Sequence, residues 1–264
     1  MAEDEDKVVL TADGRRIRPV RSVGRAIELL DVIAEGGETM GLTDLAGAIG
    51  CSKTAAYNLL TTLELHGMVR RVDDHRYALG WRLLELGEVV RASSTFGEEA
   101  HAQVIALSEH TGETALLAVL DRLAVVCVDV VESSRSVPLS TSRGSREALT
   151  VGAPGRVLLA YSVPARRRRM VDQLDPDRAG LDDDLGRVRQ QGFAVVVNGL
   201  EVAVAAPVFD YSGDVVASIA AVGPASRLPP DRVNDIVALV TTAAAAVSAS
   251  LGGGVRASVR AIPS

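Results

Sequence analysis

The chain has 264 residues, of which 47% are hydrophobic and 3% aromatic, a net charge of −6 and two cysteines, Cys51 and Cys127. This composition supports one large domain or two smaller ones with aliphatic cores, and it excludes a disulfide framework and a strongly basic, sequence-blind nucleic-acid binder. The acidic start MAEDEDK is no signal peptide, and the longest apolar stretch, from Ile236 to Leu251, is Ala- and Thr-rich and shorter than the ~20 strongly apolar residues of a membrane span. A soluble protein of the reducing cytoplasm is expected, with no membrane partner.

Charge is uneven along the chain. Residues 1–14 carry −4, and five arginines (Arg15, Arg16, Arg18, Arg21, Arg25) crowd the segment that follows. This arm is either a solvated part of a disordered tail over residues 1–20 or a phosphate-contacting element. SVGRAIELLDVIAEGG then reads as a helix, with Ser22 as N-cap, apolar groups at helical spacing and Gly36-Gly37 as stop. LTDLAGAIG is a second, short helix capped by Thr43. A third runs from Ser52, its cap, to Gly67, with Ala56, Leu59, Leu60 and Leu63 inward. MVRRVDDHRYALG is a hairpin with a polar turn at Asp73-Asp74-His75. WRLLELGEVVRAS is apolar nearly all round, so a partner subunit is its natural cover.

Beyond residue 95 the texture changes. A helix to Gly112 turns Ala100, Val104 and Leu107 inward, and two strands follow with a turn at Asp121-Arg122. A long loop rich in Gly, Ser and Arg precedes the helical pieces RVLLAYS, PARRRRMVDQL and LDDDLGRVRQQG. FAVVV and a strand pair turning at Asp210–Asp214 come next, then a final helix from Pro229-Pro230-Asp231. Hairpin-joined strands mixed with helices indicate an α+β domain with a mostly antiparallel sheet.

Two short helices joined through Gly50-Cys51 and followed by a hairpin describe a winged helix-turn-helix. With its leucines inward, the third helix presents Lys53, Thr54, Tyr57, Asn58 and Thr61, and Ser52 stands at its start. These groups suit a major groove: Lys53 for phosphate or guanine, Asn58 for an adenine edge, the threonines for a hydrogen bond or a thymine methyl. Arg70, Arg71 and Arg76 lie on the hairpin, where duplex backbone would run, and supply affinity rather than sequence choice. On the motif alone, an ordinary three-helix packing module with a polar face stays open.

Other features read as structure. Arg166 to Arg169 form a solvated helix face, and Asp182 to Asp184 favour a helix N-terminus. Cys127 belongs to a strand core, and His66, His75, His101 and His110 lack zinc spacing. A nucleophile elbow, a dinucleotide turn, a phosphate loop and a His-Glu-x-x-His helix are all missing, so neither an enzyme nor a cofactor is expected.

RSVGRAIELLDVI, LTDLAGAIGCSKTAAYNLLTTLELHGMV, YALGWRLLELG, GSREALTVGAPGRVLLA, QQGFAVV and VAAPVFDYSGDVVASIAAVGPASRL occur in order over roughly residues 21–250. In this the chain resembles the IclR family of bacterial transcriptional regulators. The resemblance implies a winged helix-turn-helix over residues 21–80, a linker helix over 81–94, a GAF-like α/β effector-binding domain over 95–252 and a flexible tail over 253–264. It implies a double-stranded DNA operator, a small-molecule effector, and a homodimer or tetramer. It places Thr150, Val151, Gly152, Ala153, Pro154, Val197, Asn198, Pro207, Ala220 and Val222 beside the effector. The chain departs from the family pattern in its loop, Ala148 to Arg156, and at Val196-Val197, Ala220, Val222 and Asn58. Few polar groups then remain to hold a hydrophilic acid, so an apolar or aromatic body is expected, with Arg143, Arg146 or Arg156 available to a carboxylate.

Overall fold

Helical periodicity in the first ninety residues is satisfied around one small aliphatic core, in which Leu29, Ile33, Leu45, Leu60, Val69 and Tyr77 meet. The structure is a computed structural model and describes residues 9–10, 16–37, 39–73, 75–93, 96–135, 141–174 and 179–253. The chain divides into two compact units, residues 1–94 and 95–264.

In the first unit a short antiparallel pair, β1 (Val9–Leu10) and β2 (Arg16–Ile17), lies within the segment expected to be tail. Arg15 of the arginine arm is outside the described residues. Helix α1 (Arg21–Glu35) is followed by β3 (Met40–Gly41), α2 (Leu42–Ala48) and α3 (Lys53–Leu65). Strands β4 (Val69–Asp73) and β5 (Arg76–Leu79) form the hairpin, and β3 adds to the open side of β5. Strand β3 has two residues, too few for an alternation to show.

Two caps differ from expectation. Helix α1 starts at Arg21, with Val20 extended before it, so Ser22 is inside the helix. Helix α2 is entered from extended Gly41, because β3 runs straight into it, and Thr43 is its second residue. Ser52 does cap α3: its Oγ accepts from the Ala55 N–H at 3.2 Å. At the hairpin tip the His75 N–H donates to Asp73 Oδ1 at 3.0 Å, an Asx turn; Asp74 is outside the described residues. Helix α4 (Trp81–Ser93) closes the unit, with Trp81, Leu84, Val89 and Val90 exposed.

The second unit is built on one antiparallel sheet of six strands in the order β8-β7-β6-β11-β10-β9. These are β6 (Thr114–Asp121), β7 (Ala124–Val131), β8 (Arg146–Ala148), β9 (Ala194–Asn198), β10 (Glu201–Phe209) and β11 (Val215–Pro224). Strand alternation sends Val202, Val204, Ala206 and Val208 to one face. There they meet α5 (Gly97–Thr111) and α9 (Pro230–Ser250) through Val104, Leu107, Ile236 and Val240. Ala205, Ala220, Leu116 and Ala118 face the other way. They are covered by α6 (Ala153–Tyr161), α7 (Pro164–Leu174) and α8 (Ala179–Gln191) through Val157, Leu158, Val171 and Leu185.

Helix α9 is longer than its apolar stretch suggested: its 21 residues are, by length and composition, enough to cross a bilayer. Ile236, Val240, Ala243, Ala244 and Val247 lie in the core of the unit. Arg167 and Arg189 donate to the Ala160 carbonyl at the end of α6, at 3.2 and 3.3 Å, so one member of the arginine run has a capping role. Asp182 stands in the first turn of α8, whereas Asp184 pairs with Arg156 and Arg187. Glu113, 2% exposed, receives Arg227 Nε at 2.9 Å and ties the start of β6 to the 3-10 turn Ala225–Arg227.

Two glycines make a contrast. A Cβ on Gly155 would lie 2.1 Å from the Leu149 carbonyl oxygen, while one on Gly186 meets nothing within 4 Å. Gly155→Ala is expected to lower stability by about 1–3 kcal/mol through forced backbone movement. Gly186→Ala, inside α8, is expected to raise it by about 1 kcal/mol. Urea denaturation of the two variants beside the parent checks both.

Candidate nucleic-acid interface and ligand cavity

Ala56 and Leu60 are fully buried, which fixes the rotation of α3 about its axis. Lys53, Thr54, Tyr57 and Asn58 are left exposed together on its open side. Thr61 differs from expectation. Its Oγ1 is buried and has no hydrogen-bond partner among the described residues, so the hydroxyl is not offered at the surface.

The three hairpin arginines are each held within the unit. Arg70 lies over the Trp81 ring, 5.8 Å from its centroid. Arg71 crosses from β4 to α3, where Nη2 donates to Glu64 Oε2 at 3.3 Å, and it sits over the Tyr77 ring at 5.4 Å. A hydrogen bond with the Tyr57 side chain, reinforced by Tyr77 and Glu64, keeps Arg71 above the ordinary guanidinium pKa. Arg76 donates through Nε to Thr39 Oγ1 and through Nη2 to the Thr39 carbonyl, both at 2.7 Å. Hairpin and reading helix are thereby clamped together, and Glu64 has a local counter-charge.

In the second unit, a cavity of about 210 Å³ opens between the α6 face of the sheet and the loop before α6. Its floor is apolar: Leu116, Ala118, Val125, Cys127, Ala203 and Val222. Its rim is polar: Ser145, Arg146, Glu147, Asn198 and Glu201. Of the residues placed beside an effector by resemblance, Gly152, Pro154, Asn198 and Val222 line it. The other six lie elsewhere. Val151 is 39% exposed in the turn, and the Thr150 carbonyl accepts from Arg156 Nε at 3.2 Å. Ala153 and Ala220 are fully buried where helix and sheet touch. Pro207 is buried further along β10, paired with Ser218. Val197 is 66% exposed, because alternation along β9 turns Val196, not Val197, to the cavity.

The expectation of a pocket with few polar groups is corrected by the rim. Arg146, Glu147 and Glu201 belong to it, drawn from β8 and the start of β10. Glu147 went unnoticed because β8 is a three-residue edge strand inside a sequence that reads as loop. Burial, and secondly the charge of Glu201, raise its pKa above the ordinary carboxylate value. Each of the three loop arginines already has an acidic partner: Arg143 with Asp129, Arg146 Nη2 with Asp121 Oδ2 at 2.8 Å, and Arg156 with Asp184. Burial, and then Asp129, push the Cys127 thiol up to about 11, so it stays protonated at neutral pH and is a poor nucleophile.

The family model for the IclR helix-turn-helix domain matches residues 22–73, and that for the bacterial transcriptional regulator IclR C-terminal domain matches residues 92–249. The chain belongs to the IclR family of bacterial transcriptional regulators. Among IclR relatives, the glycerol operon regulatory protein of Streptomyces griseus is 30% identical over 253 residues, covering 90% of this chain and 98% of that protein. An IclR transcriptional regulator from Alicyclobacillus acidocaldarius has a TM-score of 0.75 at 27% identity, over 90% of this chain and 100% of that one. An IclR homolog from Microbacterium hydrocarbonoxydans, solved with 4-hydroxybenzoate, has a TM-score of 0.76 at 20% identity, over 88% and 100%, a likeness of fold. Known relatives are regulators, not enzymes.

Two measurements test this IclR-type geometry. A buried hydroxyl without a partner costs roughly 1–3 kcal/mol, so Thr61→Val is expected to raise the melting temperature and leave DNA affinity within about two-fold, which thermal melting and a duplex titration check. Glu147 binds its proton more tightly folded than unfolded, since its folded pKa is raised. Its ionised form therefore weakens the fold progressively as pH rises through the raised value, and the penalty is absent below the ordinary carboxylate range. Glu147→Gln is expected to be more stable than the parent at neutral pH, with the difference vanishing in acid; melting curves across pH decide it.

Proposed function

We propose that the protein is a sequence-specific DNA-binding regulator whose operator occupancy is set by a small molecule in the second unit. The observation that carries this reading is the fixed rotation of α3, which leaves Lys53, Thr54, Tyr57 and Asn58 together on the open side of the helix. Lys53, in the first turn, meets a phosphate or guanine beside a helix N-terminus that itself favours phosphate. Asn58 pairs with an adenine edge, and Thr54 adds a hydrogen bond or a methyl contact. Ser52 holds the helix start in place. Tyr57 stands beside Arg71, where helix and hairpin meet, and Arg70, Arg71 and Arg76 position the duplex backbone.

The protein works in the cytoplasm as a homodimer or a tetramer. The exposed apolar groups of α4 are the contact surface of the dimer. A two-fold dimer places two reading helices roughly 34 Å apart and requires a pseudo-palindromic operator. The cavity beside Gly152, Pro154, Asn198 and Val222 takes the effector, supported by its apolar floor and convergent polar rim. A ligand that binds one operator-affinity state better than the other shifts DNA binding, and DNA shifts ligand binding by the same factor.

Fluorescence anisotropy with a duplex from the region upstream of the protein's own gene tests the reading. The parent is expected to prefer this duplex to unrelated DNA at physiological salt, and equal affinity for both would overturn the assignment. Asn58→Ala is expected to cost about 1–3 kcal/mol and relax preference at one base position. Leu84→Asp is expected to halve the mass seen by analytical ultracentrifugation while leaving far-UV circular dichroism unchanged.

A further inference from the structure

Glu147 occupies a particular place. Its Oε2 lies 2.5 Å from where a Cβ on Gly152 would stand, and Gly152 is the extended residue that caps the start of α6. The N-terminus of a helix attracts negative charge, which is where an anionic ligand group would be received. Here the chain supplies that negative charge from its own β8. Glu201, at the start of β10, adds a second carboxylate to the same rim. Neither has an ion-pair partner among the described residues. The cation of the rim, Arg146, is already held by Asp121 at 2.8 Å.

Resting on the reading of this cavity as the effector site, we propose that it takes a small organic cation, a primary amine or amidinium on a compact apolar body, and rejects carboxylates. The cationic head lies between Glu147 and Glu201, and the apolar body lies on Leu116, Val125 and Val222. A carboxylate would meet two like charges, with Glu147 beside the residue that caps α6 and Arg146 engaged by Asp121. Like charges in one site disfavour each other: the Glu147 pKa is raised first by burial and secondly by the charge of Glu201. A bound cation relieves that repulsion. The volume of about 210 Å³ is below the 300–1,000 Å³ of pockets for drug-sized ligands, which restricts the body to about one ring.

Benzylamine and benzoate are near-isosteres of opposite charge, and isothermal titration calorimetry on the full chain compares them. Benzylamine is expected to bind at least ten-fold tighter than benzoate. Glu147→Gln and Glu201→Gln are each expected to narrow that preference, and Glu147→Ala, which clears the α6 N-terminus, to improve benzoate binding. Circular dichroism of each variant confirms folding. Tighter binding of benzoate to the parent overturns the cation assignment and leaves the cavity as an effector site. A preference for benzylamine unchanged in all three variants overturns it too, because the cation would then be read elsewhere. Failure of both probes to bind parent and variants overturns the cation assignment together with the effector reading.

Discussion

The second unit depends on one constraint: both faces of a six-stranded sheet have to be kept from water at once. Every buried strand position is therefore assigned by parity, and the two helical layers follow. Even positions of β10 meet α5 and α9, and odd positions meet α6 and its neighbours. Both faces mix small and branched side chains: Ala206, Ala217, Val204 and Ile219 stand toward α5 and α9, and Ala205, Ala220, Leu116 and Val222 toward α6. Gly155 of α6 fits closely against the Leu149 carbonyl of the turn that precedes the helix. A hollow is left between the sheet, the start of α6 and the loop before it.

The first unit obeys a similar rule at a smaller scale. Leu60 and Ala56 in the core decide which residues of α3 remain outside. The partition between sheltered and open is sharper than helical spacing alone implies. Thr61 shows this: its position on the wheel lies near Tyr57, yet its hydroxyl is sealed. A polar residue one step from the core boundary can be covered by neighbours that the spacing does not include.

Much of this was legible in the residues. Apolar spacing marked the helices, and glycine and proline marked their ends; Gly112, at φ 68° after α5, is one such stop. Family resemblance ordered the pieces. Caps were less legible, because Ser22 and Thr43 are good capping residues that the chain passes over when Val20 and Gly41 are already extended. Within the cavity, the residues contributed by the loop were anticipated in part, through Gly152 and Pro154. The floor was not, since Leu116, Val125 and Ala203 read only as strand core. Pairing of Arg143, Arg146 and Arg156 with distant acids needed coordinates, as no short-range pattern joins them.

The engagement of the hairpin arginines has a consequence for how this fold handles ionic strength. A guanidinium that reaches a phosphate from bulk water displaces condensed counterions and yields a steep salt dependence. Arg71 and Arg76 instead begin from partners inside the protein, Glu64 and Thr39, and would have to trade them. Such an exchange gains little net free energy. It spends no entropy on ordering two long side chains, however, because they are already ordered. On the proposed reading the hairpin would act as a rigid gauge of backbone position, with adhesion left to other parts of the surface.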